Sequence, residues 1–524
     1  MIQFNAIVLL PFICLFFIIN VVVTVHRRFM EGEKGVVLEG KDASSRRRNL
    51  NYIRRVYKMQ KQCSFMDIDV PDNIVPEFLD SYKYKPLQAI WSINKRMHFE
   101  IFPVILLSWI LWKEFAKYNF ILKPYQIFFL IFGAFFIFKW FNWILLDTYQ
   151  ADETADVDIS KLPVAIVIPV YNEDKKSLVD CIIALLLQTR RPNEIHITDD
   201  GSGYEYQDIK EWFCRKCEEF GVIGTWARQE NLGKREAHCN SISRICNKNS
   251  IVCTIDSDAT LDPRAIEEGM KPFAWSQHKS VTGLVISKKV NSNFLTRIVD
   301  SIPLVSSQHL GKGSMSGYGC VVVNSGAISL YRPDVIAKAL EVGYQTETYN
   351  GEPVHFSDDS FLTLIALSLG KTIFQPSCFS FADMPITLNH HLRQYTRWAR
   401  GAVIRGFWRV KFFPFPNWVF IVQFSNWASF FVATMIFIIW GVEGITPDTI
   451  LFFLITSTVF CFLLGMQYSS VKRIDVSKKD AIINLLLLPL SMTWQYSVLR
   501  IVNIYAMFTH STLKWGTRQS VEKT

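Results

Sequence analysis

Paired metal-binding cysteines are missing from this chain. Of its 11 cysteines the nearest approach is Cys214-Arg215-Lys216-Cys217, and no second pair follows. That excludes a four-cysteine zinc module and leaves the cysteines as buried thiols of a reducing compartment. An RNA- or DNA-binding motif is missing too, so no nucleic acid is expected as a partner. The first apolar run, Asn5 to Val25, lacks a positive start before it and a small-residue cleavage site after it. A removable signal peptide needs both, so a spanning helix is the expectation.

What is abundant is apolar sequence. Half of the 524 residues are hydrophobic and 41 are phenylalanine. The excess gathers at the two ends, while the middle has the composition of a soluble enzyme. The formal net charge of +9 lies largely beside apolar segments, which suits an anionic membrane face. His26-Arg27-Arg28, Arg46-Arg47-Arg48, Arg54 and Arg55 place residues 26–98 on the cytoplasmic side. Their basic clusters read either as a solvated linker or as a regulatory or partner-binding stretch. Ile101–Trp112 and Tyr125–Leu146 are expected to form an out-and-back hairpin. Trp418–Val442 and Ile450–Met466 form a second, and Val471-Lys472-Arg473 and Lys478-Lys479 follow on the cytoplasmic side. The boundaries expected are a transmembrane region 1–150, a cytosolic catalytic domain 151–387 and interface helices 388–415. A transmembrane hairpin 416–467 and a C-terminal segment 468–524 complete the chain. The localisation implied is the cell membrane, multi-pass, with the catalytic domain in the cytoplasm.

The middle alternates strands and helices. Val164–Pro169 is an apolar run with no polar face. Glu194–Thr198 runs into Asp199-Asp200-Gly201-Ser202, and Ile251–Ile255 into Asp256-Ser257-Asp258. The pattern predicts an α/β fold with a parallel-rich sheet, and ligands bind beyond the carboxyl ends of such strands. The acidic groups fall at those ends.

Asp256 and Asp258, two residues apart at a strand end, can serve a divalent metal and a sugar or ribose hydroxyl. Mg²⁺ or Mn²⁺ takes oxygen ligands and bridges diphosphate oxygens. Asp199 and Asp200 suit a turn, and equally a hydrogen bond from a base or ribose. Gly233 lets backbone approach a phosphate, with Lys234 and Arg235 supplying charge. Asp358 and Asp359 precede an apolar helix. A cap explains one of them, and two adjacent carboxylates push one pKa up, as a general base requires. Gln394, Arg397 and Trp398 share one helical face, combining hydrogen bonding, a cation and a flat stacking surface.

Together and in order, Pro169-Val170-Tyr171-Asn172-Glu173, Asp199-Asp200-Gly201-Ser202, Gly233-Lys234-Arg235, Asp256-Ser257-Asp258, Asp358-Asp359 and Gln394-x-x-Arg397-Trp398 resemble the processive family 2 glycosyltransferases. These are the hyaluronan, chitin and cellulose synthases and their relatives. Trp515-Gly516-Thr517-Arg518 resembles the gating loop of hyaluronan synthases. A related sequence occurs in the capsule synthase that alternates glucose and glucuronate. The resemblance implies a glycosyltransferase A-type domain inserted between N- and C-terminal transmembrane helices and cytoplasmic interface helices. It implies a processive, inverting transferase that builds a β-linked polysaccharide from UDP-sugars and exports it. The donors would be UDP-GlcNAc and/or UDP-GlcA or UDP-Glc, with Mn²⁺ or Mg²⁺ as cofactor. The partners would be the growing polymer and the bilayer. Tyr171, Glu173, Asp199, Asp200, Lys234, Arg235 and Asp256 would hold the nucleotide sugar, and Asp256 and Asp258 the metal. Asp359, with Asp358, would be the base. Gln394, Arg397 and Trp398 would meet acceptor and diphosphate, and Trp515, Gly516, Thr517 and Arg518 would close over the donor. Because that loop must return to the cytoplasm, residues 481–508 are expected to bend at Pro489 as an interface or re-entrant segment. Three positions depart from the hyaluronan-synthase pattern: Ser360 replaces arginine, Tyr395 replaces a second glutamine, and Asn324-Ser325-Gly326-Ala327 replaces a Cys-x-Gly-Pro type loop. Synthases of other β-linked polymers, and non-processive transferases acting on lipid carriers, are the alternatives.

Overall fold

The computed structural model describes residues 64–79, 82–92, 124–443 and 447–513. The expected spans Asn5–Val25 and Ile101–Trp112, and the loop Trp515–Arg518, lie outside the described residues.

A short strand β1 (Ala89–Trp91) and a long helix α1 (Pro124–Ile144) lead into the catalytic domain. There follow β2 (Val164–Val170), α2 (Lys175–Leu186), β3 (Glu194–Asp200), α3 (Gln207–Phe220), β4 (Ile223–Gln229) and α4 (Lys234–Ser243). Next come β5 (Ile251–Thr254), β6 (Thr260–Leu261), β7 (His278–Ser287), a helical run over residues 294–316 with two π-helical stretches, and β8 (Ser329–Tyr331). Helix α5 (Asp358–Leu369) and strand β9 (Lys371–Ala382) complete the domain. The sheet order is β4-β3-β2-β5-β8-β7-β9-β6.

Every residue of β2 is buried. A strand covered by helices on both faces must be apolar throughout, and Val-Ala-Ile-Val-Ile-Pro-Val is. The polar members of β3 are satisfied inside: His196 lies 2.8 Å from the Thr225 hydroxyl and 3.0 Å from Glu194. Strands β2 to β5 run parallel to one another. The sheet as a whole is mixed, with most of its pairing parallel. β8 is antiparallel to both β5 and β7, and β6 is antiparallel to β9. These two strands have three and two residues, too few to leave a periodic pattern in the sequence. The result is a GT-A-like α/β fold.

The stretch from residue 64 to 92 folds onto the domain. The Trp212 indole donates to the Ile74 carbonyl at 3.1 Å, and the Tyr82 hydroxyl donates to Asp180 at 2.5 Å. β1 pairs antiparallel with β10 (Val471–Arg473), tying the two ends of the chain together beside the sheet.

After β9 come α6 (Leu388–Phe412), α7 (Trp418–Glu443) and α8 (Pro447–Ser469). Among the described residues one helix segment, Trp418–Ile439, is long and apolar enough to cross a bilayer. In α1 the apolar segment is shorter, Leu130–Ile144. The multi-pass expectation therefore rests, within the described residues, on one such helix. Residues 478–486 and 488–509 form a helix pair bent by 47°. Pro489 opens the second helix, where its missing N–H costs nothing. That second arm packs along α6: the Arg400 guanidinium donates to Thr509 at 3.1 Å, and Trp494 to His391 at 3.3 Å.

Candidate active site

One cavity of about 1130 Å³ opens beyond the carboxyl ends of β2, β3 and β5. Tyr171, Glu173, Asp200, Lys234, Asp256, Asp258, Asp358, Asp359, Gln394, Arg397 and Trp398 all line it. They come from segments more than 220 residues apart in sequence, roughly as the crevice rule for such sheets demands.

One side of the cavity is built from strand ends. β5 delivers Asp256, and Ser257 donates its hydroxyl to the buried Glu173 carboxylate at 2.7 Å. Glu173 thus fixes the turn that presents the two carboxylates. The Lys234 ammonium contacts Asp256 at 2.7 Å and Asp358 at 3.0 Å. Burial alone would lower its pKa, but Asp256 and Asp358 outweigh burial and hold the amine charged well above the usual lysine range. Gly326 leaves the other face of Asp256 open, since a Cβ there would lie 2.8 Å from Asp256 Oδ2. Two carboxylates with one face kept clear could hold a divalent ion; no group of three protein ligands is found among the described residues.

Asp200 and Asp199 behave differently from each other. Successive strand residues point to opposite faces. Asp200 reaches the cavity edge, but its oxygens are engaged by Gln229 Nε2 (2.8 Å), Leu232 N (3.0 Å) and Gly233 N (2.9 Å). It ties down the glycine turn that launches Lys234, and burial raises its pKa. Asp199 is 1% exposed, accepts from Ser202 N at 3.0 Å and does not line the cavity. Arg235 also departs from expectation. One helical step beyond Lys234 turns it inward, where it donates to the Tyr344 and Phe356 carbonyls at 3.0 Å each and pairs with Glu347.

Asp358 and Asp359 sit on the first turn of α5. Ser357 precedes them in the left-handed region (φ 58°), turning the chain so that both carboxylates enter the cavity. Burial pushes the Asp358 carboxyl up, but Lys234 and the neighbouring His238 outweigh it and hold the acid well below the usual range. Asp359 moves the other way. Burial, then the charge on Asp358, raises it to about 6. One member of the pair is a permanent anion and the other is poised to take a proton.

Another side of the cavity is formed by α6. Trp398 is 44% exposed at the cavity mouth, and Gln394 Oε1 is buried with no protein donor. Arg405, farther along α6, forms a buried pair with Glu347 (2.7 Å) and donates to Ser360 Oγ at 3.2 Å. Glu347 therefore binds Arg235 and Arg405 at once, locking α4, α5 and α6 around the pair of aspartates.

Ser325, from the Asn324–Ala327 loop, lines the cavity together with Lys312 and Gln308, which have no place among the sequence motifs. A signal existed: between Asp300 and Arg332 the chain has one charged residue, Lys312.

Acidic strand ends, a lysine between them and a split-pKa carboxylate pair define a nucleotide-sugar glycosyltransferase. Comparison with known proteins agrees. Residues 165–339 match the family described as "Glycosyl transferase family 2". The chain is 30% identical over 366 residues to the hyaluronan synthase of Streptococcus pyogenes, covering 68% of this chain and 84% of that one. It is 26% identical over 265 residues to an N-acetylglucosaminyltransferase of Azorhizobium caulinodans, covering 49% and 64% respectively. A solved mannosyltransferase, PcManGT from Pyrobaculum calidifontis in complex with GDP-Man and Mn²⁺, aligns with a TM-score of 0.47 at 16% identity, over 73% of this chain and 96% of that chain. The chain belongs to the hyaluronan-synthase-like family 2 glycosyltransferases, enzymes of polysaccharide biosynthesis.

Proposed function

We propose that this enzyme is a membrane-bound, processive, inverting β-glycosyltransferase that polymerises UDP-sugars into a hyaluronan-type polysaccharide and couples synthesis to export. The observation that carries the reading is the split pair Asp358–Asp359 facing Asp256 and Lys234 across one cavity. Asp359 takes the proton of the acceptor hydroxyl. The acceptor oxygen bonds to the donor anomeric carbon as its bond to the diphosphate breaks, and UDP leaves from the opposite face with inversion. Lys234 meets charge developing on the diphosphate. Mn²⁺ or Mg²⁺ held by Asp256 and Asp258 would supply further neutralisation of the leaving group. Trp398 stacks the acceptor sugar, and Gln394 and Arg397 flank it.

Processivity and export draw support from the C-terminal arm. Leu513 is buried beside Val354, Phe356 and Ile404, and His355 and Ser357 of that same turn line the cavity. Leu513, two residues before Trp515, therefore lies next to a turn that lines the cavity. A membrane setting draws support from Trp418–Ile439 and the bent pair packed on α6. The test is the purified full chain with Mn²⁺ or Mg²⁺ and UDP-GlcNAc, UDP-GlcA and UDP-Glc, singly and in pairs. Long polymer requiring two donors supports the reading. Release of a single transferred sugar, or transfer to lipid alone, would overturn it.

A further inference from the structure

The cavity contains two lysines in contrasting settings. Lys234 is neutralised between Asp256 and Asp358. Lys312 contacts only neutral groups: the Gln308 side-chain carbonyl at 3.3 Å and the Ser325 hydroxyl. Among the described residues no carboxylate pairs with it. Gln308 cannot swing away, because Val285 N donates to its Oε1 at 3.2 Å and its Nε2 donates to the Val285 and Leu304 carbonyls at 2.7 and 3.0 Å. The ammonium is thus aimed from a rigid floor, formed by β7 and the π-helical stretch His309–Gly313.

Its place is on the acceptor side. Ser325 belongs to the loop whose Asn324 N–H donates to Thr363 Oγ1 at 3.0 Å, and that hydroxyl donates to the Asp359 carbonyl at 2.7 Å. Lys312 and Asp359 therefore share one wall of the cavity, where the attacking hydroxyl must lie. A half-buried cation set among neutral partners is a costly arrangement unless a ligand brings the countercharge. Burial accordingly draws its pKa down to about 8, and the charge on Asp359 opposes that fall.

We propose that Lys312 is a specificity residue that binds the carboxylate of a hexuronic acid at the acceptor end of the growing chain. The inference rests on the polymerase reading above and adds an acidic acceptor sugar and the side chain that reads it. The competing source of negative charge is the donor diphosphate, which Lys234 already serves.

The experiment is transfer from UDP-GlcNAc, with the full-length protein, to two oligosaccharide acceptors. One ends in glucuronate and the other in glucose, differing only at C6. The readout is the ratio of kcat/KM for the two acceptors within each variant, so partial misfolding cancels. UDP binding by calorimetry is the second readout. In the unaltered enzyme the glucuronate acceptor is favoured by about tenfold or more, the scale of one charge-assisted hydrogen bond. In Lys312→Gln the ratio collapses toward one, and Lys312→Arg retains most of it. An unchanged ratio in Lys312→Gln overturns the proposal, as does a fall in UDP affinity that accounts for the whole loss. A neutral homopolymer from the unaltered enzyme removes this inference and the hyaluronan-type product but leaves a processive polymerase. No polymer from any UDP-sugar removes that reading itself.

Discussion

At the residue scale the chemistry depends on keeping two adjacent carboxylates in different states. Lys234 holds Asp358 ionised, while burial and Asp358 raise Asp359. As the proposed base Asp359 acts deprotonated, so its raised pKa predicts an acid limb. The value of kcat/KM for the acceptor should fall as pH drops through about 6 and level off above it. A pH–rate profile checks this. In Asp359→Asn the base is gone at unchanged size, and the rate should drop about 10²–10⁴-fold, with UDP affinity retained by calorimetry. Gly326→Ala tests the metal side. The added Cβ would crowd Asp256 Oδ2 at 2.8 Å, so the Mn²⁺ concentration for half-maximal activity should rise. Motif reading found these groups because acidic pairs at strand ends are local in sequence. It could not separate Asp199 from Asp200, or Lys234 from Arg235. Which of two neighbours faces the cavity depends on the rotation of the strand or helix, and adjacency leaves that open.

At the element scale the site is held by helix ends and the contacts between helices. Glu347 clamps Arg235 of α4 and Arg405 of α6, and Arg405 reaches Ser360 of α5. Removing one charge leaves two buried cations short of a partner. Glu347→Gln should therefore destabilise the domain by about 3 kcal/mol, visible as a lower Tm in detergent and a parallel loss of activity. Gly401 sits where α6 passes Ser357, and a Cβ there would collide with the Ser357 hydroxyl. Gly401→Ala should push the left-handed turn before Asp358 and lower kcat far more than acceptor KM, as steady-state kinetics can measure. Neither role was legible beforehand. Glu347 lies in a short irregular stretch without periodicity, and its partners are 58 and 112 residues away.

At the scale of the whole molecule, a mixed sheet brings three acidic strand ends under an interface helix. The bent C-terminal arm then returns along that helix. Leu513, at the end of that arm, packs beside the 354–357 turn. A chain ending at Leu513 should keep its Tm and UDP-sugar binding near those of the intact chain while its product shortens sharply, as gel sizing of radiolabelled polymer would report. Retained product length would remove Trp515–Arg518 from the closing step.

The sequence by itself determined the chemistry and its order along the chain. Unbroken apolar strands, acidic pairs at their ends, and the Gln394-x-x-Arg397-Trp398 face are local patterns, dictated by backbone periods of two and 3.6 residues. Only the tertiary structure decided which member of each pair enters the cavity and that β8 runs antiparallel. It also placed Arg235 in a buried clamp and Lys312 on the wall beside Asp359. Those outcomes depend on packing between segments far apart in the chain, where no local period carries information.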